Sequence, residues 1–193
     1  MSAKIIATAV AGMVLAVSAG SLASAQMMGG KKMEHTVTVG GAPMYPSKNI
    51  IQNAVNSKDH TTLVAAVKAA GLVDTLSGAG PFTVFAPTNT AFGKLPAGTV
   101  DSLLKPEMKP TLTKVLTYHV VPGRLSSTDL MAKAKAGGGK AMLKTAEGED
   151  LTVSSKNGAL WLTDAKGGTA KVTIANVAQS NGMIHVVDTV LMP

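Results

Sequence analysis

The chain has 193 residues, no cysteine and a formal net charge of +7. Without cysteine it makes no disulfide, does no thiol chemistry and takes no lipid on a cysteine. Its lysines are scattered and its aromatics few, a composition that argues against nucleic-acid binding and leaves only loose attraction to acidic polymers.

Residues 1–25 read as a signal peptide. Lys4 begins it, residues 5–17 are an apolar run, and Ala23-Ser24-Ala25 is a small-x-small cleavage site. The expected cut falls between Ala25 and Gln26. The run is shorter than the ~20 apolar residues of a membrane span. The expectation is therefore an exported product, periplasmic or extracellular, with no membrane span in the mature chain. Removal of Lys4 lowers the charge by one.

Residues 26–46 hold Gly29, Gly30, Gly40, Gly41, Pro43 and Pro46 with little periodicity. They predict a flexible arm, with one short strand over 36–39 at most. Met27, Met28, Met33 and His35 are candidate Cu(I) donors, because thioethers are soft ligands and an exported chain meets copper. An oxidation-prone arm without metal is the plainer reading.

Residues 47–193 read as one domain. Ser47 is a plausible cap for a helix over 50–55. In a second helix, Leu63, Ala66, Val67 and Ala70 fall at i, i+3, i+4 and i+7, and Gly71 ends it. A further helical turn spans 72–76. Residues 82–86 predict a strand that Pro87 ends, with Thr88 or Asn89 capping the turn that holds Ala91 and Phe92. Helix is expected again over 99–104. Pro110 suits the first turn of the next helix, where Leu112, Val115, Leu116 and His119 share a face. Strands follow at 140–146 and 151–155 around the turn Glu147-Gly148-Glu149-Asp150, then at 159–163 and 170–175. Residues 183–191 are apolar on both alternating faces, as in a central strand. Helices first and strands later predict an α+β fold.

Three segments are more specific than the rest. They are Thr83-Val84-Phe85-Ala86-Pro87-Thr88-Asn89-Thr90-Ala91-Phe92, Tyr118-His119-Val120-Val121-Pro122-Gly123, and the stretch from Asn181 and Gly182 through His185 and Asp188 to Pro193. Together, and in this order, they resemble the signature boxes of the fasciclin (FAS1) family. The resemblance covers residues 49–193. It implies a wedge-shaped β-sandwich with several short helices packed along one side. It also implies a habit of binding other molecules, without naming the partner. No internal repeat is present, so a single module is expected.

The candidate sites divide into structural and binding readings. Within the boxes, Thr83, Phe85, Pro87, Thr88, Asn89, Phe92, Asn181, Gly182, His185 and Asp188 are taken as the structural motif. His119 lies on an apolar helix face and reads first as a hydrogen-bonded core histidine. The resemblance also makes Leu116, Tyr118, His119, Val120 and Val121 adhesion candidates, since the Tyr-His box is linked to adhesion in some animal members. Asn176-Val177 stands where animal relatives carry Asp-Ile, and there is no Arg-Gly-Asp. His185 and Asp188 project to opposite faces of a strand, so they form no dyad. Thr88 and Asn89 read as caps rather than catalytic groups. Glu147, Glu149 and Asp150 are an acidic turn with a weak claim on Ca²⁺. Trp161 opposes Leu160 and Leu162 on its strand and is a candidate binding anchor. No serine elbow or glycine-framed carboxylate pair is found, so neither catalysis nor a cofactor is expected.

Two functions are carried forward. The first is a non-enzymatic interaction protein of adhesion, cell-surface or matrix association, whose partner is a cell-surface or extracellular protein or polysaccharide. The second is a soluble carrier of an apolar small molecule such as a carotenoid or lipid, with Met131, Met142 and Met183 lining an adaptable pocket.

Overall fold

The structure is a computed structural model and describes residues 35–193. The expected signal peptide, its Ala25–Gln26 cut, and Met27, Met28 and Met33 lie outside the described residues. His35 is exposed.

The hairpin of β1 (Val37–Val39) and β2 (Ala42–Met44) corrects the flexible arm expected up to residue 46. Val39 and Met44 are buried at one end of each strand. Asn53 holds the segment down: its side chain accepts from the Tyr45 amide and donates to the Tyr45 carbonyl. Pro43 is tolerated because a two-stranded sheet leaves one edge of each strand unpaired.

Helix α1 (Ile50–Ala54) starts on Asn49, not on Ser47. Asn49 accepts from the Gln52 amide and Gln52 bonds back to the Asn49 amide, a reciprocal cap that Ser47 is too far upstream to make. Helix α2 (Thr61–Ala70) buries the expected stripe of Leu63, Ala66, Val67 and Ala70. Gly71 ends it at φ 73°, in the left-handed region. Helices α3 (Val73–Ser77), α4 (Asn89–Gly93), α5 (Thr99–Leu103) and α6 (Lys109–Tyr118) follow the predicted positions.

Two elements besides β2 were not expected. Strand β4 (Val120–Pro122) is only three residues long. Helix α7 (Ser127–Ala136) buries just Leu130 and Ala134, so its apolar periodicity is thin. The legible signal was Ser126 followed three residues later by Asp129, which form a reciprocal cap.

The remaining strands are β3 (Phe82–Pro87), β5 (Lys140–Lys144), β6 (Asp150–Lys156), β7 (Ala159–Thr163), β8 (Thr169–Gln179) and β9 (Gly182–Val187). They form one sheet in the order β4-β3-β9-β8-β7-β6-β5, with β3 and β9 parallel and every other pair antiparallel. β8 outruns its expected end. A bulge lets it bend, with Asn176 at φ 61°, before it turns into β9. β9 is buried at all six positions and stops at Val187, where its parallel partner β3 reaches Pro87.

The fold is the expected α+β sandwich. One core lies between the β3–β9 half of the sheet and α1 to α6, around Leu63, Val84, Leu116 and Ile184. A second lies around Phe85, Tyr118, Leu130, Leu151, Leu162 and Leu191, and α7 closes it. No helix among the described residues is long and apolar enough to cross a membrane.

If the β1–β2 hairpin is part of the fold, Met44→Ala removes a buried side chain and lowers stability by about 2–4 kcal/mol. Urea unfolding of the chain from Gln26 onward measures this. An unchanged midpoint would return the hairpin to the flexible arm.

Candidate functional site

The three boxes become the three adjacent strands β4, β3 and β9 with their flanking turns. Their polar side chains are spent on joining these elements. The Thr83 hydroxyl donates to the Gly123 carbonyl at 2.7 Å and accepts from the Leu125 amide at 2.9 Å, which fixes the path of the chain after β4. The Thr88 hydroxyl caps α4 by accepting from the Ala91 amide. Asn89 reaches the start of α2: its oxygen accepts from the Thr61 hydroxyl and Thr62 amide, and its amide donates to the Lys58 carbonyl. Pro87 ends β3 and Phe92 packs into the helix-side core.

Asn181 and Gly182 begin β9. The Asn181 oxygen accepts from the Ile50 amide, and its nitrogen donates to the carbonyls of Leu76 and Gly78 at 2.8 Å. One side chain thus ties β9 to α1 and to the end of α3. Gly182 lies so close to β3 that a Cβ would run into the Phe82 backbone, its carbonyl oxygen nearest.

His119 follows α6 and is buried. Its Nδ1 donates to the Val115 carbonyl at 2.8 Å, and its Nε2 accepts from the Leu191 amide at 3.1 Å. Those partners demand the neutral ring with the proton on Nδ1. Burial pushes its pKa down to about 4. Tyr118 is also buried; its hydroxyl donates to the Asp150 carbonyl and accepts from the Ala165 amide.

His185 stacks on Phe85, its register partner in β3, with ring centroids 5.6 Å apart. Its Nε2 donates to the Leu125 carbonyl at 2.9 Å, and burial lowers its pKa. Asp188 accepts from the Lys171 amide and the Thr189 hydroxyl and makes no contact with His185.

The adhesion candidates Leu116, Tyr118, His119, Val120 and Val121 are all buried. This corrects any reading in which a partner touches them: in the folded protein these side chains pack against the protein itself. Trp161 is half-buried, on the face of β7 opposite the buried Leu160 and Leu162. Asn176 spends its side chain on the start of α7, accepting from the Ser127 amide and donating to the Ser127 hydroxyl, both at 2.7 Å.

The acidic turn is held by lysines. Lys114 lies 2.9 Å from Glu149 and 3.5 Å from Glu147, and Lys144 lies 3.2 Å from Asp150. No group of three or more metal-binding side chains occurs among the described residues. Met131, Met142 and Met183 do not share a pocket, since Met183 is buried in the core and Met131 and Met142 line separate open grooves. Two apolar cavities between α1, α2 and the sheet measure about 20 and 30 Å³, with Ile50, Ala54, Leu63 and Val84 on their walls. Each has space for one or two waters, not for a carotenoid.

Sequence reasoning missed several buried polar residues, three of which join separate elements. Asn53 and Gln179 bond to each other between α1 and β8. Asp164 accepts from the amides of Lys166, Gly168 and Met192, fastening the C-terminal segment to the β7–β8 turn. An Asp before Gly-Gly was legible as a turn residue; its bond to Met192 was not.

His119→Ala leaves the Leu191 amide unpaired and opens a cavity, and we expect a loss of about 2–4 kcal/mol. The wild type should also weaken in acid. His119 titrates near 4 when folded and near 6.5 when unfolded, so its stabilising contribution is complete above pH 6.5 and is lost as pH falls toward 4. That contribution is about 3 kcal/mol, and the lowered pKa values of His60 and His185 act with the same sign. Urea midpoints from pH 7 to pH 4 check both expectations: the wild type should fall steeply and the variant less so. Parallel curves would remove His119 as the source.

A model of the fasciclin domain family matches residues 58–193. The chain is 43% identical over 193 residues to the protein sll1483 of Synechocystis sp., covering 100% of this chain and 97% of that one. It is 40% identical over 122 residues to the cell surface glycolipoprotein MPB83 of Mycobacterium bovis, covering 63% of this chain and 48% of that one. Among solved structures, a FAS1 domain pair from the insect cell adhesion molecule fasciclin I superposes with a TM-score of 0.68 at 18% identity, over 77% of this chain and 52% of that one. The family match over more than half of the chain and the shared architecture agree: the chain belongs to the fasciclin domain family.

Proposed function

We propose that this chain is an exported, non-enzymatic interaction protein that acts at the cell surface or in the surrounding matrix. Its partner is a surface or extracellular protein or polysaccharide. The observation that carries the reading is the commitment of the signature residues to the fold. Both ring nitrogens of His119 are bonded to backbone groups, and Asn89, Asn181 and Thr83 are each engaged on more than one side. A general base needs a free lone pair facing a substrate, and these groups present none. The printed names of the relatives support the same direction: one is a cell surface glycolipoprotein, and the superposed domains come from a cell adhesion molecule. The carrier reading gains no support from cavities of about 20 and 30 Å³.

Two measurements test the proposal. N-terminal sequencing of the protein recovered from its host should begin at Gln26; a chain that begins at its first residues and stays in the cytoplasm overturns export. Fluorescently labelled mature protein should bind host cells or isolated envelope saturably, in the micromolar range. No binding above that of a scrambled-surface control overturns the interaction reading.

A further inference from the structure

The seven-stranded sheet nearly closes on itself. Its end strands β4 and β5 meet at one corner, where the Ala146 amide donates to the Val120 carbonyl at 2.7 Å. Beyond that corner they part. Pro122 has no N–H to continue a ladder. The chain after it is drawn toward β3, through the Gly123 amide to Pro81 and the Thr83 hydroxyl to Gly123 and Leu125. The result is an open groove of about 330 Å³ between the two edges, lined by Pro122, Leu125, Lys133, Met142 and Lys144 among others.

β5 pairs with β6 on one side only. The N–H and C=O groups of alternate β5 residues face the groove without a strand partner, which is a template for strand addition. The side chains on its outer face alternate Lys140, Met142, Lys144, and Met142 is 70% exposed. Across the groove Lys133 adds a third positive charge. Like charge discourages a second copy: an antiparallel self-pairing centred on Met142 would set Lys140 against Lys144. The same lysines suit acidic side chains, and Met142 with Leu125 and Pro122 suits an apolar one between them. A polysaccharide offers neither a backbone ladder nor that apolar contact.

We propose that β5 is a docking edge for an extended acidic polypeptide segment of a partner protein, which adds as an eighth strand in the β4–β5 groove. This rests on the interaction reading above and specifies the chemistry of its partner.

The test is fluorescence anisotropy with the mature protein and a labelled peptide of about seven residues, Thr-Glu-Thr-Val-Thr-Glu-Thr, whose Glu, Val and Glu side chains fall on one face of an added strand. Micromolar binding is expected. It should weaken at least tenfold in the double variant Lys133→Glu with Lys144→Glu, and in Met142→Asp. Met142 is exposed, so the urea midpoint of its variant should match the wild type; Lys144→Glu also breaks the ion pair with Asp150, so the midpoint of the double variant should fall slightly. N-methylating alternate peptide amides should abolish binding in one register and spare it in the other, and hydrogen exchange should slow at residues 140–144. Equal binding by both N-methylated peptides overturns the strand dock. So does displacement of the peptide by an acidic polysaccharide whose own binding depends on Lys133 and Lys144 but not on Met142. A peptide that fails to bind while labelled protein still coats cells overturns the dock and leaves the wider reading standing; loss of cell binding alone overturns only the latter.

Discussion

Strands β3 and β9 come from distant parts of the chain and lie hydrogen-bonded in parallel, Phe82 beside Gly182 through to Pro87 beside Val187. Parallel pairing needs a long crossover, and here the crossover contains the rest of the sheet and α4 to α7. Neither strand has a solvent face on which to place polar residues, because helices cover one side and the second core covers the other. The chain therefore supplies apolar side chains at nearly every position of both. It also supplies Gly182 at the point of closest backbone approach, where any side chain would collide with Phe82. The signature boxes are the chemical record of that one pairing.

Connecting the buried strands to the surrounding elements requires polar groups, and each polar group taken from water needs a partner. Asn181, Asn89, Thr83, His119 and His185 meet that demand by bonding mainly to backbone amides and carbonyls at the ends of helices and strands. Such bonds set the angles at which elements leave the sheet. The buried Tyr-His box thus positions surface segments that it does not itself contain. It also explains why these histidines are neutral, since a charged ring would be both desolvated and mismatched to its partners.

The same sheet that is over-determined at its centre is under-determined at its ends. β4 is short, carries a proline and is pulled toward β3, so the sheet is left open beside β5. The lysines along that edge guard against indiscriminate pairing. A fold can thus be rigid where its signature lies and receptive where sequence signatures say nothing.

The sequence by itself determined the α+β class, the helical stripe of α2 with its Gly71 end, a cap at Thr88 or Asn89, the buried central strand and the family resemblance. These are written in neighbours three to ten residues apart, the range over which periodicity and caps act. It misplaced what depends on distant partners. Met44 and Val39 read as part of a loose arm because the core they pack into is built from residues far along the chain, such as Val84 and Ile184. α7 escaped because only Leu130 and Ala134 face the core. For the candidate site, the chain order of the boxes was legible. Only the tertiary structure decided that Tyr118, Val120 and Val121 are buried, that Asp164 holds Met192, and that β4 and β5 stop short of each other. Burial and closure are properties of surfaces meeting across the fold, and no local pattern encodes where a sheet ends.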